Sequence, residues 1–104
     1  MQKTTVLMAA VAALVVAGNA SAAGDAAAGK SKAATCAACH GPNGNSTNPL
    51  WPNLAGQHAA YLEKQLKAFK SGERKDPLMS PMAAPLSDKD IKDISAYFAS
   101  QKQK

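Results

Sequence analysis

The sequence has few of the features that are typical of several common classes of protein. It contains only two cysteines and five Phe, Trp and Tyr residues, and it has no internal repeat. No segment alternates apolar and polar residues as a half-buried strand does, which argues against a sheet-based fold. The basic residues are scattered and form no stripe with interleaved aromatic side chains, so nucleic-acid binding has little support. The pattern therefore predicts an all-helical chain without a nucleic-acid partner.

The amino-terminal segment stands apart from the rest of the chain. A short basic start precedes an unbroken apolar run at residues 6–17 and then Ala20-Ser21-Ala22, which fits the small-x-small cleavage rule. The run is shorter than the roughly 18–20 residues that span a bilayer. We interpret residues 1–22 as a cleaved secretory signal peptide, and an uncleaved anchor is the alternative. After cleavage, no stable membrane span is expected.

Cleavage leaves a single small domain, residues 23–104. A core of this size supplies only roughly 3–5 kcal/mol unless a staple, a metal or a cofactor contributes. Loss of Lys3 lowers the formal charge at pH 7 from +5 to +4. This modest positive charge suits docking to acidic protein surfaces.

Three segments have helical patterns, and two proline-rich loops connect them. We predict helices over residues 25–35, 59–71 and 88–101 from alanine content, apolar periodicity and capping residues. The connecting loops, residues 41–57 and 73–86, are long for so small a domain. Loops of this length are usually functional or wrapped around something.

The string CAACH, residues 36–40, carries the strongest chemical signal. Thiol redox enzymes place CxxC at the start of a helix after a strand, but here the string follows a helix. Structural zinc needs four ligands, and only His58 is left to join Cys36, Cys39 and His40. A disulfide across so short a loop removes little entropy from the unfolded chain and leaves His40 unexplained.

Covalent haem attachment accounts for every residue of that string. Thioether bonds to the two porphyrin vinyl groups need thiols about one helical turn apart, and the iron needs an imidazole beneath the ring. Cys36, Cys39 and His40 meet both needs. A metal-bound imidazole also needs an acceptor for its other N–H, and the Pro52 carbonyl is a candidate, although Pro52 can equally serve only to shape its loop.

The opposite face of the iron needs a second ligand. Met79 and Met82 are the thioethers that remain after signal cleavage, and both lie in the second proline-rich loop. A sulfur ligand stabilises ferrous iron. Spacing alone does not choose between them, and a methionine can also merely fill a gap in a core. His58 is a rival ligand, but we interpret it as a solvated residue at a helix start because its ring has no evident orienting partner.

The chain resembles class I cytochrome c over nearly all of residues 23–104. The resemblance rests on the opening GDAAAGKSKAATCAACHG, the stretches WPNLAGQ and YLEKQLKAFKSGER, and the ending MSPMAAPLSDKDIKDISAYFASQ. It looks most like the short bacterial monohaem cytochromes and one half of the two-domain dihaem cytochromes. The resemblance implies an all-α fold, with about three main helices and long loops wrapped around one covalently bound haem c.

The resemblance also implies roles for residues around the haem. Cys36 and Cys39 carry the thioethers, and His40 is the proximal ligand. The Pro52 carbonyl accepts from the His40 ring, and Leu54 packs on the haem.

On the other side of the haem, Met79 is the implied axial methionine, counted back from the LSDKDI segment, and Met82 is the alternative. Gly29 is implied as the small residue where the first helix crosses the last, against Tyr97 or its neighbours.

These features predict a periplasmic electron carrier that is not an enzyme. It would act as a monomer and shuttle single electrons between partners such as a cytochrome-reducing complex and a terminal oxidase or reductase. One alternative is a haem-based peroxidase or gas sensor, which needs a labile sixth ligand. Another is a thiol redox enzyme, which needs free Cys36 and Cys39. We also expect the haem-free chain to be largely unfolded, because haem would supply much of the core.

Overall fold

The computed structural model describes residues 24–104, so the interpretation of residues 1–22 as a signal peptide falls outside it. Within the described range every regular element is a helix, which confirms the predicted fold class. The five helices are α1 (Ala26–Lys32), α2 (Ala34–His40), α3 (Ala59–Ser71), α4 (Met79–Ala83) and α5 (Asp88–Ala99). Of these five, none has the length and apolar character needed to cross a membrane.

The prediction of one helix over residues 25–35 is wrong in its extent, because two helices occupy this region. α1 begins after Asp25, whose side chain accepts hydrogen bonds from the amides of Ala27 and Ala28. The chain then turns at Ala33, where ψ is −1°, and α2 continues to His40. The whole CAACH string therefore lies on one helix of its own. α2 ends at Gly41, whose φ of 85° is open to glycine and strained for other residues.

α1 crosses α5 at a point of close backbone approach. A Cβ built on Gly29 would lie 1.9 Å from the Asp93 carbonyl oxygen and 2.9 Å from Tyr97 Cβ. Only glycine leaves room for the two backbones to meet in this way. The predicted contact between Gly29 and the region of Tyr97 is confirmed.

α3 and α5 enclose the main hydrophobic core. α3 has the predicted bounds, and it stops at Gly72 in a left-handed conformation, with φ of 85°. α5 is preceded by Ser87, which forms a capping box with Asp90, and it ends at Ala99, two residues before the predicted end. The buried cluster between these helices and the turn before α2 comprises Ala33, Leu62, Ile94, Tyr97 and Phe98.

The second predicted loop, residues 73–86, contains a helix that the sequence pattern did not predict. α4 spans only five residues, and it packs against α3. Pro81 lies within its first turn, where a backbone N–H would have no intrahelical acceptor, so the missing donor costs little. The segment of the predicted axial methionine is therefore an ordered turn of helix.

Candidate functional site

α2 presents the two cysteines on one face. Cys36 and Cys39 are three residues apart on the helix, which places them on neighbouring turns of the same side. Both are half-buried free thiols. Burial raises the pKa of the Cys36 thiol above its ordinary value, so the group remains protonated at neutral pH.

His40 is the last residue of α2, and its side chain is buried, with only 6% of the residue exposed. Its Nδ1 lies 2.8 Å from the Pro52 carbonyl oxygen. Because a carbonyl oxygen can only accept, Nδ1 must carry the hydrogen. In the neutral ring the lone pair is then on Nε2, the nitrogen that remains available to a metal. The ring is thus held in one tautomer and one orientation.

The loop at residues 41–57 brings Pro52 to this position through its own hydrogen bonds. The Gly44 carbonyl accepts from the amides of Leu54 and Ala55, at 2.7 and 3.0 Å. Gly44 has φ of 82°, and a Cβ built on it would lie 2.8 Å from Phe98 Cδ1. The Tyr97 hydroxyl donates to the Pro42 carbonyl at 2.8 Å. The loop is therefore folded onto α5, and the Pro52 carbonyl faces the end of α2.

Cys36 belongs to a set of half-buried apolar side chains around the hydrophobic core. Four half-buried side chains pack against the hydrophobic core from different parts of the chain: Cys36, Leu54, Leu66 and Leu86. Apolar side chains in this position are suited to a further apolar group placed on them. Two thiols on one helical face, an oriented imidazole and these apolar side chains form a set that fits a c-type haem.

The three candidates for a second iron ligand differ in their surroundings. Met79 is half-buried and is the first residue of α4. Met82, also on α4, is 43% exposed. His58 is exposed at the start of α3, and its side chain makes no capping hydrogen bond there.

Asp76 is a residue of this region that the sequence analysis missed. Its Oδ1 accepts from the backbone amides of Leu78 and Met79, both at 2.8 Å. These hydrogen bonds, that from Met79 first, lower the pKa of the Asp76 carboxyl from its ordinary value. The Asp-Pro pair at residues 76–77 was the available signal, because aspartate followed by proline is typical of a helix start.

Asp93 is a second residue that was missed, and it is buried on α5. Its carboxylate accepts from Lys32 Nζ at 2.7 Å, from Lys89 Nζ at 2.8 Å and from the Asp25 amide at 2.8 Å. Lys32 also reaches Asp90, at 3.0 Å. The Lys32 hydrogen bond, followed by those of Lys89 and Asp25, holds the pKa of the Asp93 carboxyl well below its usual range. The network joins both ends of α1 to α5.

Clefts elsewhere on the described surface do not coincide with this arrangement. One of about 450 Å³ lies along the outer side of α3, and one of about 800 Å³ lies between the first loop and the end of the chain. Neither is lined by Cys36, Cys39, His40 or Met79. Among residues 24–104, no three His, Cys, Asp and Glu side chains are grouped so as to hold a metal ion.

Comparison with known proteins gives consistent matches. A family model described as Cytochrome c matches residues 26–102. Cytochrome c-554(548) of Halomonas halodenitrificans is 56% identical over 82 residues, which cover 76% of this chain and 99% of that protein. Cytochrome c4 of Pseudomonas aeruginosa is 56% identical over 85 residues, which cover 82% of this chain and 42% of that protein.

Similarity extends to a solved structure. The crystal structure of reduced recombinant cytochrome c4 from Pseudomonas stutzeri matches with a TM-score of 0.75 and 50% sequence identity, over 79% of this chain and 48% of that one. The chain thus spans nearly all of cytochrome c-554(548) but about half or less of these cytochromes c4.

Proposed function

Because the chain belongs to the class I cytochrome c family, whose members transfer electrons through covalently bound haem c, we propose that it carries single electrons through one haem held by residues 36–40. The chain has one CxxCH string and two cysteines, which match one haem. The observation that carries the proposal is the 2.8 Å contact between His40 Nδ1 and the Pro52 carbonyl, beside two free thiols on the same helix.

Each residue of the site has a defined task in this proposal. Cys36 and Cys39 would hold the haem through thioethers. His40 would present Nε2 to the iron, because its Nδ1–H is already directed at Pro52. Donation of that hydrogen bond raises the basicity of the ring as a ligand. Haem, when bound, supplies an iron that alternates between the ferric and ferrous states.

Met79 is proposed as the second axial ligand. Its half-buried position contrasts with that of Met82, which is 43% exposed. A thioether ligand favours ferrous iron and raises the reduction potential. The apolar side chains of Leu54, Leu66 and Leu86 would keep water away from the ring. A dry site with filled ligation favours electron transfer over reactions that need an open position.

The cellular setting is part of the same proposal. We place the protein in the periplasm, exported by a signal peptide at residues 1–22 that is then removed. It would act there as a monomer that is not an enzyme. Its proposed donors and acceptors are redox proteins, such as a cytochrome-reducing complex and a terminal oxidase or reductase.

A haem-based peroxidase or gas sensor is the competing function, and it needs a labile sixth ligand. The two hydrogen bonds that the amides of Leu78 and Met79 donate to the Asp76 carboxylate favour a fixed ligand instead. The test uses Met79→Ala and Met82→Ala in the haem-loaded protein. We expect Met79→Ala to lose the weak far-red absorption of ferric iron bound to methionine sulfur, and Met82→Ala to retain it.

Carbon monoxide binding separates the two functions. Wild-type ferrous protein is expected not to bind carbon monoxide near neutral pH, whereas Met79→Ala is expected to bind it. Loss of the far-red absorption only in Met82→Ala would reverse the ligand assignment. Ready binding of carbon monoxide by the wild type would favour the sensor or peroxidase.

A further inference from the structure

The segment that holds Met79 begins with a turn built on one carboxylate. Asp76 lies three residues before Met79, the first residue of α4, and Pro77 between them has no N–H to donate. Asp76 Oδ1 then accepts from the next two amides, those of Leu78 and Met79, each at 2.8 Å. The amide of the proposed ligand is therefore bound directly by this side chain.

Ser80 closes the same turn from the other side. Its Oγ accepts from the Asp76 amide at 3.0 Å, and its own amide donates to the Asp76 carbonyl, also at 3.0 Å. Together with the two bonds to the carboxylate, four hydrogen bonds surround Met79. A turn satisfied in this reciprocal way has little freedom to change its backbone conformation.

The flanks of the segment are attached to α3 by other residues. The Arg74 guanidinium lies 4.5 Å from the centroid of the Phe69 ring and donates to Gln65 Oε1 at 2.7 Å. Lys70 Nζ donates to the Leu86 carbonyl at the far end. These contacts fix where the segment starts and ends, whereas the Asp76 carboxylate acts on the backbone of Met79 itself.

We propose that Asp76 is a positioning residue for the iron ligand: its carboxylate holds the Met79 backbone so that this methionine, and not Met82, closes the sixth site. The inference rests on the proposed function, because it requires Met79 to be the ligand. Met82 lies three residues further along α4, and the amides that donate to the Asp76 carboxylate are those of Leu78 and Met79. The carboxylate therefore distinguishes between two thioethers that lie only one helical turn apart.

The proposal predicts how easily an added ligand displaces Met79. Exogenous imidazole binds ferric iron only after the methionine segment has moved away, so its apparent affinity includes the cost of that movement. Removal of the carboxylate that accepts from the amides of Leu78 and Met79 lowers such a cost, as the loss of a helix-cap acceptor does. From the usual worth of a cap, we expect imidazole to bind Asp76→Ala about 2- to 30-fold more tightly than the wild type.

Two further variants make the comparison specific. Asp76→Asn keeps a side-chain oxygen that can accept the same hydrogen bonds, so its imidazole affinity should lie near that of the wild type. Asp88→Ala removes an exposed aspartate that lies elsewhere, in the first turn of α5. It should leave the affinity unchanged. The far-red absorption is followed in every variant, and it should weaken at a lower temperature in Asp76→Ala alone.

The outcomes separate this inference from the proposed function. If Met79→Ala loses the far-red absorption but Asp76→Ala binds imidazole as the wild type does, the positioning role is wrong and the electron carrier stands. If Met79→Ala keeps the absorption, the ligand assignment itself is wrong. If Asp76→Ala fails to take up haem, Ser80→Ala is used in its place, because it removes only the hydrogen bond that the Asp76 amide donates to Ser80 Oγ. A tighter imidazole complex in that variant supports the proposal, and an unchanged one overturns it.

Discussion

At the scale of single residues, position 29 must be glycine because the backbone of α5 leaves no room for a side chain there. The orientation of the His40 ring is set by a single hydrogen-bond acceptor. A side chain on Gly29 would overlap the Asp93 carbonyl. The Pro52 carbonyl, in turn, fixes the tautomer of His40 by accepting from Nδ1 at 2.8 Å. Gly29 therefore allows α1 and α5 to meet, and the Pro52 carbonyl leaves Nε2 of His40 available to a metal.

We predict that Gly29→Ala destabilises the folded protein by roughly 3 kcal/mol, near the upper end of overpacking costs, because backbone atoms must separate to admit the methyl group. Thermal unfolding of the haem-loaded protein measures the loss. Gly72→Ala is the matched control: no atom lies within 4 Å of the position that its Cβ would take, so only its left-handed backbone is strained, at about 1–2 kcal/mol. Equal losses in both variants would contradict the close contact.

The residues proposed to bind haem could be singled out from the sequence because they are close together along the chain. Cys36, Cys39 and His40 lie within one and a half turns of one helix. Asp93 could not be identified in this way, since its partners Lys32 and Asp25 are 61 and 68 residues away. From the sequence alone, an aspartate in the middle of α5 looks like any solvated aspartate until the other helix is in place.

At the scale of helices, caps determined which boundaries could be predicted. α3 and the start of α5 follow from Gly72, Ser87 and Asp90, whose roles are local. The turn at Ala33 has no such marker, because alanine favours helix continuation. That turn depends on packing, since Ala33 belongs to the buried core. α4 was not predicted because its segment contains several prolines, which are typical of loops. Proline is, however, also tolerated in the first turn of a helix.

The charged network between α1 and α5 predicts a pH dependence of stability. Because the pKa of Asp93 is lower in the folded state, its contribution is fully present above the ordinary carboxyl value of about 3.9 and is lost as the pH falls towards the folded value. Asp93→Asn should therefore lower Tm at pH 7, by roughly 4–8 °C for each kcal/mol lost. The difference in Tm between Asp93→Asn and the wild type should become smaller below about pH 4.

Asp88→Asn serves as the control for this experiment, because Asp88 is exposed on the same helix. Its Tm should follow that of the wild type across the whole pH range. If Asp93→Asn lowers Tm by the same amount at pH 7 and at pH 3, then Asp93 contributes to stability through packing and not through its ionised carboxylate.

At the scale of the whole molecule, the protein core is small. The buried hydrophobic residues among those described are Ala33, Ala55, Leu62, Phe69, Ala83, Ile91, Ile94, Tyr97 and Phe98. Three of them are alanines, which contribute little apolar area. A core of this kind gives a domain of this small size only marginal stability unless a further group completes it.

We therefore predict that the haem-free chain lacks a cooperative thermal transition. A Cys36→Ser, Cys39→Ser double variant, which cannot form thioethers, provides the haem-free sample. Calorimetry and circular dichroism should show a broad, shallow change, whereas the haem-loaded wild type unfolds in one sharp step. A sharp transition in the double variant would mean that the nine buried side chains suffice for folding.

The most informative experiment is a reduced-minus-oxidised absorption spectrum of the purified protein, taken together with its intact mass. We expect sharp bands of a reduced c-type haem and a mass that exceeds that of the polypeptide by one haem. The colour should persist through acid-acetone extraction, because thioethers hold the group. A colourless protein whose mass equals that of the polypeptide alone would contradict the account.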